Sequence, residues 1–404
     1  MVDHLYVHLD TGAQSTVLVG EAYLSARAGR LVSTTFRYDA DYLRDPGAFA
    51  IDPALPLFAG AQNVTGLPGA LQDSTPDRWG RNLIAKRHRI LASEQGHRAA
   101  TLTDADFLVG VSDATRQGAL RFRAEPGGAF LGSGNEVPRL LELPALLAAA
   151  DDVSRDDEPI AIKRLLDAGT GSLGGARPKA SVRDGERLLI AKFPHPGDQW
   201  NVMAWEKTAL DLAESAGIRT PRRRLVEIDG RSVLLVERFD RADSRRLSFI
   251  SAMTLLEASD GDIRDYLEIV ESLSSVASAA TSDLRELWRR IALSILINNT
   301  DDHLRNHGFL RSGSGWTLSP VFDINPNPDT GSVRQTSIAG TDDRYQGLAA
   351  LKASAREFDL SPTAADNALS EVTEVVRRWR QVAAANGLSA GELDRFEPVF
   401  EFSG

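Results

Sequence analysis

Asp301 and Asn306 bracket the segment Thr300-Asp301-Asp302-His303-Leu304-Arg305-Asn306 with the spacing Asp-x-x-x-x-Asn. A carboxylate at the first position can accept or orient the proton of a hydroxyl, and an amide oxygen at the last can hold a Mg²⁺ ion against phosphate groups. Asp323 closes the apolar run Leu318-Ser319-Pro320-Val321-Phe322-Asp323 and would supply a second oxygen ligand at a strand end. Upstream, Lys192 ends another apolar run, Leu188-Leu189-Ile190-Ala191-Lys192. A lysine there is costly unless it is paired or reaches water, and Glu206 on the following helix is the candidate partner. Each feature alone has a plain structural explanation, because Asp and Asn are common in turns and Lys is common on edge strands. The chain order Lys, Glu, Asp-x-x-x-x-Asn, Asp is what carries the chemistry, since it is the order of phosphoryl transfer in protein kinases. Ahead of Lys192 lies Gly169-Thr170-Gly171-Ser172-Leu173-Gly174-Gly175, which is neither Gly-x-Gly-x-x-Gly nor a Walker sequence. Its glycines can still let backbone N–H groups approach phosphate, and Ser172 offers a hydroxyl that could itself receive a phosphoryl group.

The elements that must position these residues change character along the chain. Leu5–Leu9, Ser15–Val19 and Leu31–Tyr38 are β-branched and aromatic runs separated by glycine-bearing turns, and are predicted strands. A helix is predicted through Pro76 to about Leu91, capped by Asp73 or Ser74. Residues 113–138 are rich in Gly and Pro and are expected to be turns and a loop. Short helices follow at Leu140–Ala150 and Ile160–Asp167, then strands at Lys179–Val182 and Arg187–Phe193 around Asp184-Gly185. A helix at about 201–216, ended by Gly217, precedes strands at Arg223–Ile228 and Ser232–Glu237. Beyond Asp240 the pattern is mainly helical: Leu284, Leu287, Trp288, Ile291 and Ile295 mark a core helix, and Ser361-Pro362 opens a C-terminal helix stopped near Gly387. The fold class expected is α+β, with a β-rich N-terminal subdomain over 1–125, the rest of a small lobe over 126–239 and a helical lobe over 240–404.

Composition removes several other chemistries. No cysteine occurs among the 404 residues, which excludes disulfides, thiolate metal sites, iron–sulfur clusters and a cysteine nucleophile. A net charge of −10 disfavours coating of nucleic acid, and the basic runs Lys86–Arg89 and Arg222–Arg224 are expected to be solvated. No apolar run reaches the ~18–20 residues of a membrane span. The start Met1-Val2-Asp3-His4-Leu5 lacks the basic and apolar regions of a secretory signal, so a soluble cytoplasmic protein without membrane contact is expected. His303 and His307 have zincin spacing, but Leu304 stands where the required Glu would be. There is no Gly-x-Ser-x-Gly elbow for serine hydrolysis.

Five ordered motifs together resemble the HipA-type serine/threonine kinase toxins of type II toxin–antitoxin systems. They are Ser172–Lys179, Ile190-Ala191-Lys192-Phe193-Pro194, Val236–Arg241, Thr300–Asn306 and Leu318–Asp323, with further likeness at Leu71–Ser74, Val109–Val111 and Gly118–Leu120. The resemblance covers nearly the whole chain and implies a two-lobed protein-kinase-like fold acting with ATP and Mg²⁺. It implies that Asp301 is the catalytic aspartate, that Asn306 and Asp323 hold Mg²⁺, and that Lys192 holds the α- and β-phosphates with Glu206 as its ion-pair partner. Glu237, Arg238 and Phe239 would form the hinge that grips adenine through backbone groups, with His303 and Arg305 beside the nucleotide. Gly174, Gly175, Ala176, Arg177 and Lys179 would form the phosphate loop, and Ser172 would be the regulatory autophosphorylation site. Two departures stand out: Arg177-Pro178 where the family often has Gln-Glu, and Asp302 where it often has Gly, which is expected to add charge next to the metal ions. By resemblance the substrate is a protein, with an aminoacyl-tRNA synthetase the leading candidate, and the partner is a DNA-binding antitoxin through which alone DNA would be contacted. The alternatives are a catalytically silent kinase-like binding module of a repressor complex, and a small-molecule kinase.

Overall fold

The alternation of Leu5, Val7 and Leu9 with polar residues places the three apolar side chains on one buried face of a strand. That strand, β1 (His4–Gly12), belongs to a computed structural model that describes residues 2–12, 15–134, 136–155, 159–169, 177–242 and 245–401. With β2 (Ser15–Arg27), β3 (Arg30–Tyr38), β4 (Ala61–Thr65) and β5 (Leu120–Arg123) it forms a sheet in the order β4-β3-β2-β1-β5. All its pairings are antiparallel, with Val7 opposite Gly20 and Phe122, Ala22 opposite Phe36, and Thr34 opposite Val64. β5 lies inside the Gly- and Pro-rich region expected to be loop. Four residues carry little signal of their own, and what makes them a strand is the edge of β1, against which Leu120 and Phe122 turn inward.

The helix predicted through Pro76 starts slightly later, at Arg78–Glu94, while Gly69–Gln72 forms a separate turn. Its cap is Asp77 rather than Asp73 or Ser74, and the Asp77 carboxylate accepts from the Gly80 N–H at 2.7 Å. Pro76 precedes the cap instead of opening the helix. Asp77 has a second task, because its other oxygen lies 2.5 Å from Nζ of Lys179, and both side chains are buried. Lys179 opens β6 (Lys179–Asp184), which pairs with β7 (Arg187–Lys192), Ser181 opposite Ile190. β8 (Arg223–Ile228) and β9 (Arg231–Glu237) complete a sheet ordered β6-β7-β9-β8.

The chain divides into two compact units, one of residues 1–197, 228–231 and 235–250, the other of residues 198–227, 232–234 and 251–404. In the second unit the Ala280–Leu296 helix buries Leu287, Trp288, Ile291 and Ile295. An aromatic stack closes its core: Trp205 lies 3.9 Å from Phe396, and Trp379 lies 4.4 Å from Phe400, centroid to centroid. The single helix expected from Ser361 to Gly387 is two, Pro362–Val376 and Trp379–Ala385, and the break brings Trp379 into that stack. A further helix, Ala390–Phe400, begins in a Ser389/Glu392 capping box and delivers Phe396 and Phe400. Among the described residues no helix is long and apolar enough to cross a membrane.

Asp77→Ala removes both the helix cap and the carboxylate facing a buried ammonium. A loss of about 3–5 kcal/mol is expected from urea unfolding, of which the double variant Asp77→Ala/Lys179→Met should recover a substantial part. Equal losses in the single and double variants would contradict the pairing.

Candidate active site

The Ala280–Leu296 helix ends in a short run of polar residues that cannot continue it. Ile297 closes the last turn, and Asn298 takes a left-handed backbone, φ 54°. The amide of Asn298 donates to the carbonyls of Asn327 (2.8 Å) and Asp329 (2.9 Å). Thr300 accepts at Oγ1 from the Asn327 amide (2.8 Å) and at its carbonyl from the Gln335 N–H (3.3 Å). These bonds stitch the segment after Asp323 to the segment before Asp301, which is why residues far apart in sequence share one place. Asp323 does not close a regular strand as expected. The strand ends at Leu318, and Asp323 sits beyond it at φ 57°, a conformation that costs of order 1 kcal/mol.

Asp302 is the anchor of the loop. Its buried carboxylate accepts from the Tyr266 hydroxyl (2.5 Å) and from Ser294 Oγ (2.7 Å), and Nε2 of His307 lies 2.9 Å away, at ion-pair distance without hydrogen-bond alignment. Burial alone would push this carboxyl up, but attraction to His307 and the bonds from Tyr266 and Ser294 hold it well below the usual carboxylate range. Burial and the neighbouring Asp302 raise Tyr266 well above an ordinary tyrosine, so its hydroxyl stays a donor. Although its charge still adds to the repulsion felt by Asp301, Asp302 is therefore compensated inside the second unit. Its backbone carbonyl is held as well, accepting from Thr336 Oγ1 at 2.7 Å.

Asp301 faces the other way and is exposed. Its Oδ1 accepts from the Gln335 side chain at 2.8 Å, and its carbonyl accepts from Nδ2 of Asn306 at 2.9 Å. Partial burial pushes the Asp301 carboxyl above the ordinary aspartate value; attraction to His303 opposes this, and repulsion from Asp323 and Asp302 adds to it. With the Asn306 nitrogen bonded to Asp301, its oxygen is the amide atom left to meet a cation. The Asn306 oxygen and the Asp323 carboxylate are hard oxygen donors of the kind Mg²⁺ takes, and Asp323 lies close enough to Asp301 to repel its charge. Among the described residues no three His, Cys, Asp or Glu side chains group around one metal position.

The remaining candidates fall as follows. Glu206 is buried on the Val202–Ser215 helix of the second unit. Lys192 ends β7 in the first unit, which also holds Arg177, Lys179, Glu237, Arg238 and Phe239. Lys179 is the buried partner of Asp77, so its ammonium has a structural task. The Arg238 N–H donates to the Leu188 carbonyl at 2.9 Å, while its buried guanidinium bonds both oxygens of Asp240 and the Thr115 carbonyl. Arg305 is paired with Asp260 at 2.9 Å. Ser172, Gly174, Gly175 and Ala176 lie outside the described residues. Sequence reasoning missed Tyr266, Ser294 and Gln335, and singled out His307 only for its zincin-like spacing. The only hint was the Asp301-Asp302 doublet, since two adjacent carboxylates are unlikely to share one task when each repels the other.

An α+β chain whose long helix runs into an Asp-x-x-x-x-Asn loop, with a further Asp held against that loop, has a protein-kinase-like fold. The HipA-like C-terminal domain matches residues 171–379 and the HipA N-terminal domain matches residues 16–104, and the chain belongs to the HipA-type toxin family. Toxin YjjJ of Escherichia coli strain K12 is 25% identical over 283 residues, 65% of this chain but only 60% of that relative's own length. The HipA structure from Shewanella oneidensis, solved with HipB and operator DNA, superposes with a TM-score of 0.71 at 18% identity, over 98% of this chain and 95% of that one. A Helicobacter pylori proinflammatory kinase, CtkA, aligns at 16% identity over 57% of this chain and 88% of its own, with a TM-score of 0.44.

Because Asp302 ionises below the unfolded value near 3.9, its stabilisation is present above that pH and is lost on acidification. Asp302→Asn is expected to cost roughly 1–3 kcal/mol at neutral pH and to flatten the fall of Tm between about pH 5 and 3. Thermal melts across that range check both, and an unchanged slope would contradict the assignment.

Proposed function

We propose that this protein is an ATP- and Mg²⁺-dependent serine/threonine protein kinase of the HipA type. The observation that carries this reading is the opposed pair in one loop: Asp302 drawn inward by Tyr266 and Ser294, Asp301 left outside beside Asn306 and repelled by Asp323. Asp301 is the residue that takes the proton from an acceptor hydroxyl, and its raised carboxyl suits it to that task. Asn306 and Asp323 are the residues that would hold Mg²⁺, which when bound neutralises charge on the phosphates. Lys192, partnered by Glu206, draws the α- and β-phosphates, while Glu237 and Phe239 present backbone groups to adenine, and His303 and Arg305 line the nucleotide. Gly174 to Lys179 would close over the phosphates. In the transfer itself the acceptor oxygen bonds to the γ-phosphorus, the bond from that phosphorus to the β-phosphate oxygen breaks, ADP leaves and the proton passes to an Asp301 oxygen.

Ser172 is proposed as an acceptor within the chain, its phosphate then repelling ATP from the adjacent loop. The external substrate proposed is a component of translation such as an aminoacyl-tRNA synthetase. The partner proposed is a DNA-binding antitoxin, in keeping with the HipB and operator DNA bound in the Shewanella HipA structure.

Incubation with Mg²⁺-ATP followed by mass spectrometry should place phosphate on a hydroxyl of the chain, Ser172 first. Asp301→Asn should slow transfer by about 100-fold or more while leaving ATP binding measurable. A wild type that binds no ATP and gains no phosphate would overturn the kinase reading in favour of a silent binding module.

A further inference from the structure

Two large apolar side chains stand in water beside the proposed acceptor site. Ile263 is 88% exposed and Val333 is 59% exposed. Their placement follows from a small parallel ladder in the second unit, in which Arg264 pairs with Thr336 and Asp265 with Ser337. One position back along the same register, Ile263 stands level with Gln335. Along this extended segment exposure alternates: Val333 and Gln335 point outward, Arg334 and Thr336 inward. Ile263, Val333 and Gln335 therefore share an outward ridge, and Gln335 reaches from it to the Asp301 carboxylate at 2.8 Å. The other flank is tied to the same loop, because Arg305 bonds Asp260 three residues before Ile263. The ridge thus runs directly into the place where a hydroxyl would be deprotonated.

Its rim is acidic. Asp260, Asp262 and Glu268 keep substantially exposed carboxylates, and Asp329 lies exposed near Val333 in the chain. The cations that the described residues place among these four, Arg264 and Arg305, are each already paired within the rim.

We propose that this ridge seats an extended, basic segment of the protein substrate, with large apolar residues flanking the serine or threonine presented to Asp301. The proposal rests on the kinase reading and sharpens it. A small alcohol can reach Asp301 without covering either apolar side chain. A peptide places successive residues about 3.3 Å apart and can cover both while its Lys or Arg residues meet the acidic rim.

The test uses the full chain with Mg²⁺-ATP and three sets of serine peptides, apolar-basic, polar-basic and apolar-acidic, with choline and other small alcohols as the fourth set. Steady-state kcat and KM are measured for wild type, Ile263→Asp and Val333→Asp, alongside KM for ATP and acceptor-free ATP hydrolysis. The apolar-basic set should give the highest kcat/KM. Each substitution should raise its KM about tenfold or more, with both ATP measurements unchanged. Binding of a labelled apolar-basic peptide to the Asp301→Asn variant, followed by anisotropy, should weaken likewise when Ile263→Asp is added. Equal use of all peptide sets, preference for small alcohols, or unchanged peptide KM in both variants would overturn the ridge while leaving the kinase reading intact. Failure to bind ATP together with failure to phosphorylate any acceptor would remove the kinase reading, and this inference with it.

Discussion

A carboxylate buried under a loop decides which way its neighbour points. Asp302 has three compensating groups gathered around it from separate parts of the second unit: the donors Tyr266 and Ser294, the latter on the long helix, and His307 at ion-pair distance. Burial of the charge is tolerable only because those groups replace water. Once Asp302 is held there, residues 301 to 304 alternate outward and inward, and Asp301 is left on the outside. The second ring of bonds completes the loop. Asn306 holds the Asp301 carbonyl, Thr336 holds the Asp302 carbonyl, and Gln335 fixes the Asp301 side chain. None of these groups needs to touch a substrate for the geometry of Asp301 to depend on them.

The first unit applies the same rule around its proposed hinge. Asp240 is fully buried, yet Arg238, Arg241 and the Gly118 N–H offset its burial and hold it well below the usual carboxylate range. Gly118 serves because its φ of 75° is open to glycine and aims the N–H at Asp240. Burial lowers Arg116 to about 9 despite the nearby charge of Asp113, and its guanidinium is used up on the carbonyls of Ser74, Leu108 and Val111. Charged side chains here connect segments from residue 74 to residue 241, so Arg238 is held by the Thr115 carbonyl and Asp240 as well as by its own strand.

The proposed order Lys192, Glu206, Asp301, Asn306, Asp323 could be read from the sequence because phosphoryl transfer asks for those residue types in a fixed sequence, whatever surrounds them. Periodicity located the Ala280–Leu296 helix and the β6–β7 and β8–β9 hairpins, since a buried stripe or a Gly turn leaves a local mark. β5 left no such mark, being four residues whose strand character comes from β1. The break between Pro362–Val376 and Trp379–Ala385 was equally silent, because no helix-breaking residue marks it, and it accompanies the stacking of Trp379 on Phe400.

Residue chemistry and order by themselves determined the family, the fold class and the carboxylates proposed for the reaction. Only the tertiary structure decided which carboxylate is buried and which is left open. Asp301 and Asp302 are identical in type and adjacent in sequence, and Lys179 and Lys192 both flank the same glycine-rich stretch. Asp302 and Lys179 turned out to be buried partners of Tyr266 and Ser294, and of Asp77, while Asp301 stayed open. The reason is physical: a charge takes its role from whatever desolvates and compensates it, and those groups come from far along the chain.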